Sequence, residues 1–430
     1  MVPLAMLNYK KVMTCSNVSL TRATELGLMF TDFSSRNHSN VRIDGEDVVS
    51  YTNCSYLGFD TDPAMVEAAI STLRSFGLHY CCARSRLSIA PLTELEVQLS
   101  RLFGAPAITF PSLTATHAAV LPLIASGTIL MPNAVGRLAQ GVHLVYDRFA
   151  HASMQVLRDQ LARTATVATI EHNDLGQLCA EIEKAARMNQ SCVYLADGIY
   201  SMGGHAPINE LLELMATTGL YLYLDDAHGT SVYGEFGEGF IVSRVRSRQK
   251  PSDCGSWPER LFVNFSLAKG FGCNGGGILV PSRTVESAVR RCAPNYLFSG
   301  PLDFAMTGAA LKCIDYHWDG TVRNRQVTLR ERVALFDREW HGADSLRFSP
   351  IRMIHVGSDA KAIDMAARLL ARGHYVPAAF FPVVPRGEAQ LRICITVHHT
   401  QAQIRKLCTD LLEIFGNRTR REVEPSAGLT

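Results

Sequence analysis

From about residue 60 the apolar positions follow two alternating periods. Met65, Val66, Ala69, Ile70, Leu73 and Phe76 recur every three to four residues, with Asp62 as N-cap, Pro63 at the first helical position and Gly77 as the stop. A second helix is predicted from Leu92 to Phe103, ending at Gly104. Short apolar runs then predict strands at Ala107–Phe110, Thr128–Met131, His143–Tyr146, Cys192–Ala196, Leu220–Leu224, Leu261–Phe265 and Gly277–Val280, with helices such as Asp174–Arg187 and Pro207–Thr218 between them. This alternation predicts an α/β domain around a mostly parallel sheet. Arg244–Arg260, with cations at alternate positions and Pro251, Gly255 and Pro258, reads as a solvated loop, with an anion-binding face as the alternative. The carboxyl third changes character. A charged helix near Val322–Trp340, a strand near Met353–Val356, a helix at Ala360–Ala371, a strand at Leu391–Val397 and a last helix at Gln401–Phe415 predict a small α+β domain. The polar tail after Gly416 is expected to be disordered.

Composition narrows the function without naming it. The 430 residues carry 42 basic and 40 acidic side chains, a formal charge of +2, so no field argues for nucleic acid or a membrane surface. Twelve cysteines are scattered, with one adjacent pair, Cys81 and Cys82, and no spacing suited to zinc. Neither a disulfide framework nor a metal site is expected, and the compartment reads as reducing and cytoplasmic. The longest apolar stretch, Ala115–Met131, is interrupted by His117, Pro122 and Gly127, so no transmembrane helix is expected, and the amino terminus does not read as a signal peptide.

In an open α/β sheet, ligands sit beyond the carboxyl ends of strands. The predicted strand ending at Phe265 runs into Ser266-Leu267-Ala268-Lys269-Gly270-Phe271-Gly272, with Gly275–Gly277 shortly after. A lysine in such a glycine-lined turn can be held as the free amine and form a Schiff base with an aldehyde; taken alone it reads first as a surface lysine. The strand Leu220–Leu224 runs into Asp225-Asp226-Ala227-His228-Gly229-Thr230. Two carboxylates at a buried strand end need a partner. A protonated pyridine nitrogen would be one, as pyridoxal phosphate requires, and a metal site or an N-cap carboxylate is the alternative. Weaker signals are His151 after the strand His143–Tyr146, Ser201 after Cys192–Ala196, and Ser112-Leu113-Thr114 between a strand and a helix, where free amides and hydroxyls could cup a phosphate.

In this order and spacing the stretches resemble the α-oxoamine synthases, pyridoxal-phosphate enzymes of aminotransferase-like fold (fold type I). The likeness begins at Asn53-Cys54-Ser55-Tyr56-Leu57-Gly58 and passes through His172-Asn173-Asp174 and the Asp-Asp-Ala-His-Gly-Thr block. It ends near Leu391-Arg392-Ile393, so it covers nearly the whole chain. The resemblance implies an entry segment at 1–59, a large cofactor-binding α/β domain at 60–300, a small α+β domain at 301–416 and a tail at 417–430. It implies that Lys269 is the Schiff-base lysine and α-proton base, that Asp225 faces the pyridine nitrogen, that His228 contacts the ring's phenolic oxygen and that His151 stacks on the ring. Ser201, Ser266, Ser112, Leu113 and Thr114 match positions around the cofactor's oxygens and phosphate, and Ser299 a position that reaches a neighbouring subunit's phosphate. Arg392 matches the arginine that receives the amino acid's carboxylate, with Asn53 and Arg84 assigned to the substrate. A homodimer is implied, as is decarboxylative condensation of a small α-amino acid with an acyl thioester, on coenzyme A or a carrier protein, to give an α-aminoketone. The alternatives are transamination or decarboxylation with the same cofactor, and a catalytically silent partner subunit, against which the retained lysine argues.

The departures lie near the substrates. Leu78-His79-Tyr80-Cys81-Cys82-Ala83-Arg84-Ser85-Arg86 stands where the family has a glycine- and serine-rich run. Ser112-Leu113-Thr114-Ala115-Thr116-His117 replaces a glycine-containing phosphate turn that ends in asparagine, with Thr114 or His117 as suppliers of the lost contacts. Phe298-Ser299-Gly300-Pro301 replaces a Tyr-Ser-Thr-Ser segment. Together they imply an altered acyl pocket and a specialised biosynthetic pathway.

Overall fold

The computed structural model describes residues 9–80, 83–130, 140–249, 256–341 and 348–416. Cys81, Cys82, Met131 and the tail at 417–430 lie outside them. The chain forms two compact units, one of Phe59–Tyr200 and Gly204–Arg323, the other of the residues up to Gly58, Ser201–Gly203 and Asn324 onward. The sequence puts one boundary after residue 59 and the other after residue 300. The first unit instead runs on to Arg323, because the helix Phe304–Trp318 packs on Pro63–Phe76 within it. A Cβ on Gly308 would lie 2.1 Å from Thr72 Oγ1, so the two helices meet closely there, and Tyr316 Oη donates to Asp62 Oδ1 at 2.8 Å.

The strands, in chain order, are β1 (Ser35–Asn37), β2 (Asn40–Ile43), β3 (Glu46–Ser50), β4 (Ala107–Phe110), β5 (Val142–Asp147), β6 (Thr166–Ile170) and β7 (Ser191–Asp197). They continue with β8 (Tyr221–Asp225), β9 (Leu261–Ser266), β10 (Gly276–Leu279), β11 (Ile351–Gly357), β12 (His374–Tyr375), β13 (Ala378–Ala379) and β14 (Ala389–Cys394). The unit of Phe59–Tyr200 and Gly204–Arg323 is built on a seven-stranded sheet in the order β4-β10-β9-β8-β7-β5-β6, in which only β10 runs against the others. Strands β4, β5, β8, β9 and β10 are buried at every position, as expected of a sheet covered on both faces.

Two segments depart from the pattern read in the sequence. Thr128–Leu130 forms turns rather than a strand, because the apolar run around it belongs to the helix Leu113–Ala125, which is buried nearly all round. A short apolar run cannot distinguish the two. Arg244–Arg248 is helical, within Phe240–Arg248. Phe240, Ile241, Val242 and Val245 fill one face, while Arg246 donates to Leu102 O at 2.7 Å and pairs with Glu238 at 3.4 Å.

Arg84 is committed inside this unit. Its Nη1 donates to Thr109 O at 2.7 Å, its Nη2 to Glu96 Oε1 at 2.8 Å, and its guanidinium lies 4.4 Å above the Tyr296 ring. Glu96 also accepts from Thr109 N at 2.8 Å and from Arg290 Nη2 at 2.8 Å. Burial would raise the Glu96 pKa, but Arg84 and Arg290 outweigh it and hold the carboxyl below its usual range. The substrate role expected of Arg84 is therefore replaced by a structural one, since a guanidinium buried this deeply needs its carboxylate.

The other unit carries two small sheets, β1-β2-β3-β12 and β11-β14-β13. The helices Asp359–Leu370 and Gln401–Phe415 belong to the same unit, the latter opened by a reciprocal capping box between Thr400 and Gln403. Arg352 holds Asp337 through two hydrogen bonds of 2.6 Å inside it.

Arg84→Ala leaves Glu96 with one cation fewer and is expected to cost about 3–5 kcal/mol in urea unfolding. Because the folded pKa of Glu96 is depressed, its contribution is complete above the unfolded carboxyl value and is lost as pH falls through the folded one. The gap between wild type and Arg84→Ala should therefore narrow in acid.

Candidate active site

The carboxyl ends of the central strands deliver the polar groups. Asp147 ends β5, Asp197 ends β7, Asp225 ends β8 and Ser266 ends β9, while Ser112 follows β4. Strands β7 and β8 are in register, so Asp197 and Asp225 are neighbours. Asp147 fixes the loops around them, accepting from Phe149 N at 2.7 Å, Asn173 N at 2.9 Å, His172 Nδ1 at 3.0 Å and Tyr194 Oη at 3.1 Å.

Asp225 is fully enclosed. Its Oδ1 accepts from Ala227 N at 2.8 Å, and its Oδ2 lies 3.4 Å from His117 Nε2. His117 projects from the second turn of the helix Leu113–Ala125, and its Nδ1 sits 2.8 Å from Tyr223 Oη. Burial pushes the Tyr223 phenol well above its usual range, so it stays protonated. With that hydroxyl donating to Nδ1, the proton of His117 sits on Nε2, the nitrogen nearer the carboxylate. Burial alone would raise the Asp225 pKa, but His117, Lys269 and His151 together hold it below the ordinary value. Its neighbour Asp197 goes the other way, raised by burial and by the Asp225 charge, while accepting from His151 N at 3.0 Å. Two adjacent carboxyls thus keep one negative charge, on Asp225.

The second aspartate of the block has a different task. Asp226 Oδ2 accepts from Ile241 N at 3.1 Å, at the amino end of the helix Phe240–Arg248, and burial raises its pKa. The helix's own N-cap is Gly239, so Asp226 reaches its first turn from a separate loop.

Lys269 Nζ lies 2.8 Å from His228 Nε2. The turn holding it is closed by Gly272 N donating to Lys269 O at 3.0 Å. Gly272 has φ +82°, and a Cβ there would lie 2.5 Å from Phe59 Cβ. His151 Nδ1 accepts from Ser153 N at 3.3 Å and lies 2.7 Å from Ser153 Oγ. Burial lowers the His151 pKa, with Asp225 opposing and Lys269 and His117 adding to the shift, so the ring is neutral and shares its surroundings with both charges. Ser112 Oγ accepts from Ala115 N at 3.1 Å, which leaves the amides of Leu113 and Thr114 at the helix start pointing outward. Ser266 Oγ accepts from Ala268 N at 3.1 Å. A Cβ on Gly276 of β10 would lie 3.1 Å from Leu113 N, so this glycine lets the helix start approach the sheet.

The remaining sequence-predicted residues have these surroundings. Ser299 is exposed, after the helix Pro294–Leu297. In the other unit, Arg392 Nε donates to Ser201 O at 2.9 Å, so Ser201 engages through its backbone. Asn53 Oδ1 accepts from Ser55 N at 2.8 Å, and Arg392 faces the thiols of Cys54 and Cys394. The sequence reading named His117 only as a possible substitute contact and missed Tyr223, Asp197 and Cys54. The signal for Tyr223 was its place two residues before Asp225, on the same strand face.

The donor set fits a phosphorylated pyridine aldehyde. It offers an amine for the aldehyde, an anion for a protonated ring nitrogen, a neutral imidazole for the ring face and a helix start for the phosphate. Comparison with known proteins agrees. Residues 58–411 match the aminotransferase class I and II family. An 8-amino-7-oxononanoate synthase of Maricaulis maris is 31% identical over 380 residues, 87% of this chain and 88% of its own. One from Pseudomonas aeruginosa is 27% identical over 420 residues, 94% of both. A serine palmitoyltransferase structure from S. paucimobilis shares the fold with a TM-score of 0.77 at 20% identity, over 94% of this chain and 98% of its own. The chain belongs to the aminotransferase class I and II family. Within it, the chain is an α-oxoamine synthase, a pyridoxal 5'-phosphate-dependent acyltransferase of fold type I.

His117→Leu removes the group facing Asp225 and leaves a buried carboxylate that gains by taking up a proton. Its dissociation constant for pyridoxal phosphate, from absorbance titration of the apoprotein, should rise about tenfold. An unchanged constant would exclude His117 from the site.

Proposed function

We propose that this protein condenses a small α-amino acid with an acyl thioester, releasing carbon dioxide and the thiol and yielding an α-aminoketone. The observation that carries the reading is the pairing of Lys269 Nζ with His228 Nε2 at 2.8 Å, close to an Asp225 that stays ionised, in a chain of this family. When bound, pyridoxal phosphate supplies an aldehyde for amines and a ring that accepts the electron pair left at the amino acid's α-carbon.

The protein's own groups divide the remaining work. Lys269 Nζ is the nucleophile that tethers the cofactor and, once released, the base that takes the α-proton. His228, within hydrogen-bond reach, holds that amine in place. Asp225 keeps its charge through His117, so a ring nitrogen facing it retains its proton. His151, neutral through burial, offers an uncharged ring face. The amides of Leu113 and Thr114, with Ser112 and Ser266 nearby in sequence or strand order, are our choice for the phosphate. Arg392 is our choice for the amino acid's carboxylate, since a guanidinium presents two parallel donors to it. With Arg84 engaged by Glu96, we leave it out of acyl-chain recognition.

We also assign the working form as a cytoplasmic homodimer. Leu78, Tyr80 and Phe298 are exposed by 80%, 70% and 82%, and their segments are adjacent, with Ser85 Oγ donating to Leu297 O at 3.5 Å. Exposed apolar surface of that kind is typical of a subunit interface. Among the described residues no helix is long and apolar enough to cross a membrane.

Lys269→Ala is expected to lose both turnover, by at least about a thousandfold, and the visible absorbance of bound cofactor that borohydride removes. Turnover is read as carbon dioxide released from a panel of amino acids with acyl thioesters. Product formation by Lys269→Ala at a rate near wild type would refute the mechanism. Phe298→Asp should shift the mass in light scattering from two chains to one; a wild-type mass of one chain would remove the dimer.

A further inference from the structure

Arg392 is flanked by two thiols. Its Nη1 lies 3.1 Å from Cys394 Sγ and its Nη2 3.8 Å from Cys54 Sγ, and the two sulfurs are 3.9 Å apart. The backbone fixes this meeting. Cys394, the last residue of β14, donates its N–H to Tyr51 O at 2.9 Å, and Val397 N donates to Tyr56 O at 3.0 Å, so the segment 51–56 runs alongside the end of that strand. Neither cysteine is cross-linked; Cys54 is half-buried and Cys394 buried. A guanidinium this close favours the thiolate, which is the reactive form. Burial pushes the thiols of Cys192, Cys273 and Cys408 up to about 12, and none of those three has a guanidinium among the causes of its shift.

We propose that Cys54 and Cys394 form a reversible disulfide that controls the amino-acid site at Arg392. The control, though not the disulfide, rests on the assignment of Arg392 to the substrate carboxylate. The oxidant is a small-molecule disulfide such as oxidised glutathione. The Cys54 thiolate, the more accessible, attacks one of its sulfurs, and a glutathione thiolate leaves. The Cys394 thiolate then attacks the Cys54 sulfur of the mixed disulfide; the Sγ–Sγ bond forms and the second glutathione thiolate leaves. The protein loses two electrons and two thiol protons, and the oxidant becomes two molecules of reduced glutathione. Contraction from 3.9 Å to about 2 Å draws the sulfurs off the Nη edge of the guanidinium. Arg392 Nε, held by Ser201 O, then becomes the pivot about which the donors turn away from their reduced-state direction.

The test uses holoenzyme incubated with oxidised glutathione, alkylated and digested. Mass spectrometry should find the Cys54 and Cys394 peptides joined and two hydrogens lighter. Binding of glycine, L-alanine and L-serine, read from the visible absorbance of the bound cofactor, should weaken about tenfold for whichever binds the reduced enzyme. Dithiothreitol should restore it. Cys54→Ser and Cys394→Ser should each abolish both the cross-link and the oxidant's effect. Absence of the joined peptides overturns the disulfide. A cross-link that leaves binding unchanged overturns the control. Arg392→Lys, measured reduced, separates the two readings: unaltered amino-acid binding there refutes the carboxylate assignment while the cross-link stands.

Discussion

The negative charge kept on Asp225 inside the protein is the constraint around which the rest of the site is arranged. A lone buried carboxylate would take up a proton. Here the cost is met from several elements at once: His117 from the helix after β4, with Tyr223 setting its proton, Lys269 from the turn after β9 and His151 from the loop after β5. Asp197, its neighbour across the parallel pair, yields the charge and carries the His151 amide instead. The sheet order explains why these groups can meet, since strands distant in sequence end on the same edge. Catalytic electrostatics and topology are therefore one problem in this unit.

Much of this was legible in the chain. The Asp62-Pro63 start and Gly77 stop marked a helix that the structure places at Pro63–Phe76, and Gln401–Phe415 was read to the residue. Local signals sufficed where caps and periodicity agreed. The block from Asp225 to His228 and the Ser-x-x-Lys turn were legible because a buried strand that runs into charge has few explanations. The residues alone left the two adjacent aspartates alike, and Asp225 was singled out only through the family resemblance, because their different partners depend on a helix beginning fifteen residues later. Asp226 turns one oxygen to the amide of Ile241, which only the three-dimensional path reveals.

The misread segments have a common cause. Arg84 looked like a recognition residue because it was a cation in a stretch expected near substrate, yet it is held by Glu96, itself paired with the sequence-distant Arg290. Arg244–Arg248 looked like a loop because its cations dominate, while its four apolar residues form the face that folds. The Thr128 run looked like a strand because a fully buried helix has no polar face to set its period. In each case tertiary partners, absent from any local window, decided the outcome.

Gly276 alters how the chain's departure from its family should be weighed. The turn at Leu113 has lost the glycine usual among its relatives, but the room beside its backbone is also set by the opposing strand, where Gly276 leaves nothing beyond its own backbone. Two clearances guard one small volume, and only one of them lies in the recognised motif. A side chain on the strand would close that volume whatever the turn carried, so the clearance rests on a residue with no chemistry of its own.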